Sequence, residues 1–397
     1  MDTAARELEH LFNQKAVWLG ETPPINADPV LLNPEKNFRA ESDKHGTYSV
    51  AWIYEHQLFN SENWPLLLDE AICLLKESGT LVCRIRDNLE GTVIELKSYL
   101  HRNPCLNAQL SQQFKTEEGE TICVFDIARN DFARRYSRDW SIGILTNGKK
   151  TDTVVALIEK AIHLSTNDMK IEFIVAGPFE PNLTSKPHLV KVVNTSTNDS
   201  LARISEKKFN IAANANLENV AIFHDRYLIE DNFFEGFNQF GYDFNFLTIS
   251  QSYEDGSFFP GYAALSETQL KWKVPMFHKN PGKLFPGHYI NGGVMIFKKT
   301  VLEKIQLNPL LLHNEAEDVE MSFVLRTNGV IPRINIFSSA ITVGIPNTYT
   351  SVFIDLTNIT PPTHPHILTR AWRKLPPGLQ KFFRGGRVYE WFRTKVG

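Results

Sequence analysis

The chain has 397 residues, 42% of them hydrophobic and 22% charged, with a formal net charge of −3. That length exceeds one ordinary core, and that balance excludes disordered and fibrous classes, so a globular protein of two domains is expected. The charge is uneven: the last 28 residues carry eight Lys or Arg against one Glu, leaving the rest near −10. No uninterrupted apolar run approaches transmembrane length. The amino terminus lacks the charged-then-apolar pattern of a secretory signal, and Cys73, Cys83, Cys105 and Cys123 show no C-x-x-C spacing. Buried reduced thiols and a cytoplasmic location are expected.

In the first third, residues 48–53 read as a strand. Pro65 opens a helix in which Leu66, Leu67, Ala71, Leu74 and Leu75 recur at spacings of three and four. Glu77-Ser-Gly79 is expected to end it, and residues 81–85 to form a second strand. A helix over 92–101 and two strands, 108–115 and 121–127, follow. The phrase "LLLDEAICLLKESGTLVCRI" within this order resembles the second half of a Rossmann-like methyltransferase. Such an enzyme places a Gly-rich loop after its first strand, where backbone approaches the cofactor. Residues 1–50 lack that strand and loop, Gly20 and Gly46 standing alone. Residues 1–138 are therefore expected to be a smaller, truncated, non-catalytic α/β domain that binds no S-adenosylmethionine and serves as scaffold or oligomer interface.

From residue 139 strands and helices alternate, which implies a mostly parallel sheet. Strands are expected over 140–146, 171–178 (ending at a Gly-Pro turn), 190–193 and 220–223, with helices over 154–164 and 204–217. The strand 220–223 is an apolar run ending in His224, Asp225 and Arg226. Ligands of open α/β sheets sit outside such carboxyl ends. A carboxylate there can hold a hard cation against a phosphate, or the turn can simply be solvated.

The ordered series "WSIGILTNGKK", "IEFIVAGP", "KKFNIAANA", "AIFHDRY", "YINGGVMIFKK" and "EDVEMSFVLRTNG" resembles the nucleotide-sugar-dependent glycosyltransferases of GT-A fold, in particular the family-2-like group. It covers residues 139–350. The resemblance implies a donor site with Thr146, Asn147, Gly177, Lys208, Asn210, Asp225, Arg226, Asn291 and Gly292, a divalent metal (Mn2+ or Mg2+) on Asp225, and Asp318 as catalytic base supported by Glu317. It implies inversion at the sugar, with a glycan or lipid-linked glycan as acceptor. The family usually shows Asp-x-Asp where this chain has His224-Asp225-Arg226, and Arg226 would repel a cation or pair directly with a diphosphate. Of His278, His288 and His313, His288 is the best placed to complete a metal site.

A bland account of Glu317, Asp318 and Glu320 also exists. Asn314 and Glu317 fit a helix cap, and acidic residues suit a first turn. Residues 250–287 are rich in Gly, Pro and aromatics, and so long a connection is usually functional. The tail, 351–397, is expected to be helical, basic and aromatic. It suits a membrane surface, or equally a helix packed on the main domain; no module for nucleic acid is present. The competing class to an enzyme is a degenerate glycosyltransferase acting as a carbohydrate-binding or assembly subunit. A methyltransferase with an appended domain is opposed by the absent glycine loop.

Overall fold

The computed structural model describes residues 7–180, 183, 186–193, 203–265, 275–282, 287–306, 308–313 and 315–357. The expected tail helices lie outside the described residues. Residues 1–354 form one compact unit and 355–397 another. No helix of the described residues is long and apolar enough to cross a membrane.

The first sheet has six strands: β1 (Ala16–Leu19), β2 (Asp28–Val30), β3 (Tyr48–Ile53), β4 (Leu75–Ile85), β5 (Leu106–Lys115) and β6 (Thr121–Arg129), in the order β2-β1-β3-β4-β6-β5. β2, β1, β3 and β4 run parallel; β6 is antiparallel to both its neighbours. Helix α1 (Trp64–Leu74) precedes β4, and α2 (Val93–Arg102), capped by the Thr92 side chain on the Glu95 amide, precedes β5. Two expectations are corrected here. Glu77-Ser-Gly79 does not end the helix. The chain turns extended at Leu75, and those residues lie inside β4. The first strand is not missing either: β1 and β2 precede β3. They are short, and β2 contains Pro29, which hides the alternating pattern. Only residues 20–27 link these two parallel strands, fewer than the dozen or so a crossover helix needs.

A short helix, α3 (Phe132–Arg135), leads into the second sheet. Its strands are β7 (Trp140–Leu145), β8 (Ile171–Ala176), β9 (Val190–Val193), β10 (Asn219–His224), β11 (Tyr227–Ile229), β12 (Phe246–Tyr253), β16 (Val294–Lys298) and β17 (Pro332–Thr342). The order is β11-β17-β12-β16-β10-β7-β8-β9. β9, β8, β7 and β10 run parallel, β16 is antiparallel to β10 and β12, and β12 pairs parallel with β17. Every residue of β7 is buried, as the continuous apolar run requires of a strand covered on both faces.

One face is packed by α4 (Thr151–Leu164) through Val154, Leu157, Ile158 and Ala161, and by α6 (Phe233–Phe240) through Phe233, Phe237 and Phe240. The other is covered by α5 (Ile204–Asn214), α7 (Lys299–Lys304) and α8 (Glu317–Thr327) through Ile211, Val301, Met321 and Leu325. α5 sits so close to β7 that a Cβ on Gly143 would lie 2.2 Å from Ile211. A small sheet joins β13 (Tyr262–Ala264), β14 (Met276–Phe277) and β15 (His288–Ile290). The expected long connection over 250–287 thus contains strands, β12 itself running to Tyr253. Gly292 and Gly293 lie in a turn between β15 and β16.

Between the two large sheets lies a buried charge network. Glu70, on α1, accepts from Arg39 (2.9 Å) and His45 (2.9 Å) and forms an ion pair with Arg333 (3.0 Å), and Arg333 also meets Asp69 at 2.6 Å. Asp243 takes Arg129 and, at 2.6 Å, Arg135, while its carbonyl accepts from Arg39. Burial alone would raise the carboxyl pKa values. Arg39 and Arg333 outweigh it at Glu70, and Arg129 and Arg135 outweigh it at Asp243, holding both far below the ordinary range. The four cysteines are buried free thiols.

Candidate active site

The site grows from strand alternation at the end of β10. Val220 and Ile222 face the core shared with α5 and α8, whereas Ala221 and Phe223 face the opposite core. His224 continues the first face and, with Arg226, lines a cavity of about 610 Å³. Asp225 turns away. Its Oδ2 accepts the Thr146 hydroxyl at 2.9 Å and, more loosely, the Asn147 amide at 3.4 Å, tying the end of β7 to the end of β10. His224 Nε2 and Arg226 Nε are buried and have no hydrogen-bond partner among the described residues. Burial first, then Arg226, Lys208 and His313, hold the His224 imidazole well below its ordinary pKa.

The opposite wall is the start of α8 and the turn between β15 and β16. The helix is entered through Ala316 at φ 58°, a left-handed conformation that L residues rarely adopt. The N-cap residue Ala316 supplies no side-chain cap, and Asn314, expected to cap the helix, lies outside the described residues. Asp318 instead accepts the Gly292 amide (2.9 Å) on Oδ2 and its own helix's Val319 amide (2.9 Å) on Oδ1. Burial, reinforced by Glu317 and opposed by Lys208, pushes the Asp318 carboxyl up to about 6. A side chain on Gly292 would crowd Glu317, Lys208 and Asp318 at 3.0–3.3 Å. The glycine eases this close approach.

The structure brings Asp318, Glu317, Arg226, Asn291 and Gly292 to one cavity, where His224, His313, Tyr289, Tyr349 and Phe353 join them. The inward turn of His224 was legible in principle from the period-two pattern of β10. Other expected residues fall elsewhere. Lys208 is fully buried beneath the cavity, its Nζ held by Glu317 at 3.1 Å, and so supports the floor rather than reaching a donor. Asn210 lies further along α5 and accepts on its carbonyl from Asn214. Gly177, at φ 133°, lets the end of β8 lie against Thr146: a Cβ there would be 2.0 Å from the Thr146 carbonyl oxygen. Asn147 is exposed, and its side chain accepts the Lys149 amide. His288 stacks on Tyr262 at 4.6 Å and lines a different cavity of about 470 Å³, with Tyr99, Arg102 and Arg326. It is not placed to share an ion with Asp225.

A divalent cation was implied at this site, and the residues present do not fit one. Mg2+ and Mn2+ favour carboxylate oxygens, yet the strand end offers the cavity an imidazole and a guanidinium. Among the described residues, no group of three or more His, Cys, Asp or Glu is arranged to hold a metal.

No family model and no curated protein matches the chain. Among solved structures it is similar to GalNAc-T7, crystallised with UDP, GalNAc and Mn2+, at 12% identity over 65% of this chain and 57% of that one, with a TM-score of 0.39. It is also similar to S. aureus TarS: to residues 1–349 at 14% identity over 54% of this chain and 63% of that one (TM-score 0.32), and to a second TarS structure at 12% identity over 65% and 46% (TM-score 0.33). The chain thus spans less than two thirds of each of these proteins.

Proposed function

We propose that this chain is a glycosyltransferase, moving a sugar from a nucleotide-sugar donor to a hydroxyl of a glycan or lipid-linked glycan acceptor with inversion. One observation carries the reading. A carboxylate poised near pH 6, Asp318, faces the same cavity as Arg226 and His224 at the carboxyl end of a mostly parallel sheet. In the reaction, the acceptor oxygen forms the new bond to the sugar's anomeric carbon while the bond to the diphosphate oxygen breaks. Asp318 takes the acceptor proton, and the charge developing on the diphosphate is met by Arg226. Asn291, which lines the same cavity beside the Gly292 turn, contacts the sugar in this reading.

Residues 1–138 act in this reading as a scaffold without S-adenosylmethionine. Two features support that role. The short β1–β2 link leaves no helix amino terminus for a cofactor. The Glu55 carboxylate, bonded to Trp18 at 2.8 Å and Thr22 at 3.2 Å, would lie 2.0 Å from a Cβ on Gly20 and so fills the mouth of β1.

The test is a screen of UDP-, GDP- and other nucleotide sugars for nucleoside diphosphate release, with the purified full chain. Release with one donor, abolished by Asp318→Asn, is expected. No release with any donor, together with retention of glycans on an array, would instead favour the carbohydrate-binding alternative.

A further inference from the structure

This inference rests on the donor reading above and deepens it. The cavity's two carboxylates are already engaged: Glu317 by Lys208, Asp318 by the Gly292 and Val319 amides. Among the described residues, the cavity leaves two buried nitrogens without partners, Nε2 of His224 and Nε of Arg226. These two residues sit two apart at the end of one strand and line one cavity, and His313 lines it as well. The backbone holds them in place, since the His224 amide donates to the Gly293 carbonyl at 3.0 Å and the Arg226 carbonyl accepts the Val343 amide at 2.7 Å. The intervening Asp225 is committed to Thr146 and points out of the cavity. Desolvated nitrogens without partners are costly unless a ligand completes them, and guanidinium with imidazole is a donor set for phosphate oxygens rather than for a cation.

We propose that the cavity binds the diphosphate of a nucleoside diphosphate, free or sugar-linked, without a metal ion, Arg226 pairing with its oxygens and His224 donating from Nε2. Here the strand end supplies its own fixed cation where the Asp-x-Asp pattern would recruit one.

Calorimetry with the full chain, using UDP and GDP as probes, tests this in EDTA and again in Mn2+. The expected result is a Kd that agrees within about threefold between the two conditions. In EDTA, Arg226→Ala should weaken binding by about tenfold or more, the size of a lost charge-assisted hydrogen bond. Arg226→Lys should recover part of it, and His224→Leu should cost several-fold. Binding that requires Mn2+ overturns this inference and leaves the transfer reading intact. Metal-independent binding indifferent to both Arg226→Ala and His224→Leu overturns the residue assignment. Failure of both nucleotides to bind under either condition overturns this inference and counts against a UDP or GDP donor, with the sugar-nucleotide screen deciding the transfer reading separately. The wild-type comparison stands even if a variant fails to fold.

Discussion

Two groups of charged residues lie within the same compact unit and have opposite characters. Around Glu70 and Asp243 the carboxylates and guanidinium groups are mutually paired, nearly dry, and held far from their ordinary pKa values by one another. Around Asp318 the carboxyl is pushed the other way, up to about 6, and it is held by the Gly292 and Val319 backbone amides. Perturbed ionisation therefore does not by itself mark a functional site. The partners of the carboxylates separate the two: Glu70 and Asp243 each meet two guanidinium groups, whereas Asp318 is held by the Gly292 and Val319 amides. Paired buried charges fix geometry, whereas a carboxylate held only by amides at the edge of an open cavity is available to a ligand.

The closed network should give the largest effect. Asp243→Ala leaves Arg129 and Arg135 facing each other without a counter-charge, and breaking a buried pair in this way typically costs about 3–5 kcal/mol. We expect a large drop in the urea midpoint or loss of soluble protein. A midpoint within error of the native one would make the network ornamental. The pH dependence follows from the direction of the shifts. With folded pKa values depressed, the stabilisation by Glu70 and Asp243 is complete above the unfolded carboxyl range, near pH 4, and is lost as pH falls below it. Acid titration followed by intrinsic fluorescence should show cooperative unfolding on that side.

The open cavity should yield to substitution in rate rather than in fold. Asp318→Asn removes the proton acceptor, and a general base contributes on the order of 10²–10⁴-fold. Turnover should fall by that factor while nucleotide affinity stays nearly constant, because the loss belongs to the transition state. In the native protein kcat/KM should decline below about pH 6, as Asp318 takes up a proton. Full transfer by the variant, or a product retaining the donor's anomeric configuration, refutes the assignment. Asp225→Ala should act more weakly, by less than about tenfold on nucleotide binding and with no change in its metal dependence. It loosens the Thr146 contact without removing a group from the cavity. Loss of metal-dependent binding in that variant would restore the cation.

What was legible in the sequence follows the same division. β7, β8 and β10 are short apolar runs buried on both faces, so hydrophobic patterning exposes them. β12 and β17 are not legible in this way. Buried Thr248, Arg333, Asn335 and Ser338 interrupt their patterns, held by hydrogen bonds to residues distant in sequence or, for Asn335, to Ser338 beside a local bulge. Asp318 stands out through its acidic first turn and the glycine pair before it. The direction of His224 against Asp225 depends on where the strand stops, and that is set by the His224–Gly293 and Asp225–Leu145 backbone bonds. Lys208 looks like a surface cation on a helix. Only the position of Glu317 at 3.1 Å shows it as a buried strut.

The smallest expected effect is also the one that most sharply separates the two groups. Asp318 has a folded pKa of about 6 against an ordinary 3.8. Below about pH 4 the carboxyl is neutral in both folded and unfolded chains, and its burial costs nothing extra. Between pH 4 and 6 the unfolded chain ionises while the folded one resists, so the cost grows; above pH 6 it is complete. Asp318→Asn carries no charge at any of these values and keeps an oxygen for the Gly292 or Val319 amide. The variant should therefore melt together with the native protein near pH 4 and above it at pH 7.5, by roughly 1–3 °C for a unit of this size. That sign is the reverse of Glu70 and Asp243, whose ionised forms stabilise. Trading stability for a poised carboxylate is what a site selected for chemistry would show. Differential scanning calorimetry at the two pH values decides it: a variant less stable than native at pH 7.5 would mean that Asp318 belongs with the closed network, as a structural cap on its helix, and not with the open cavity.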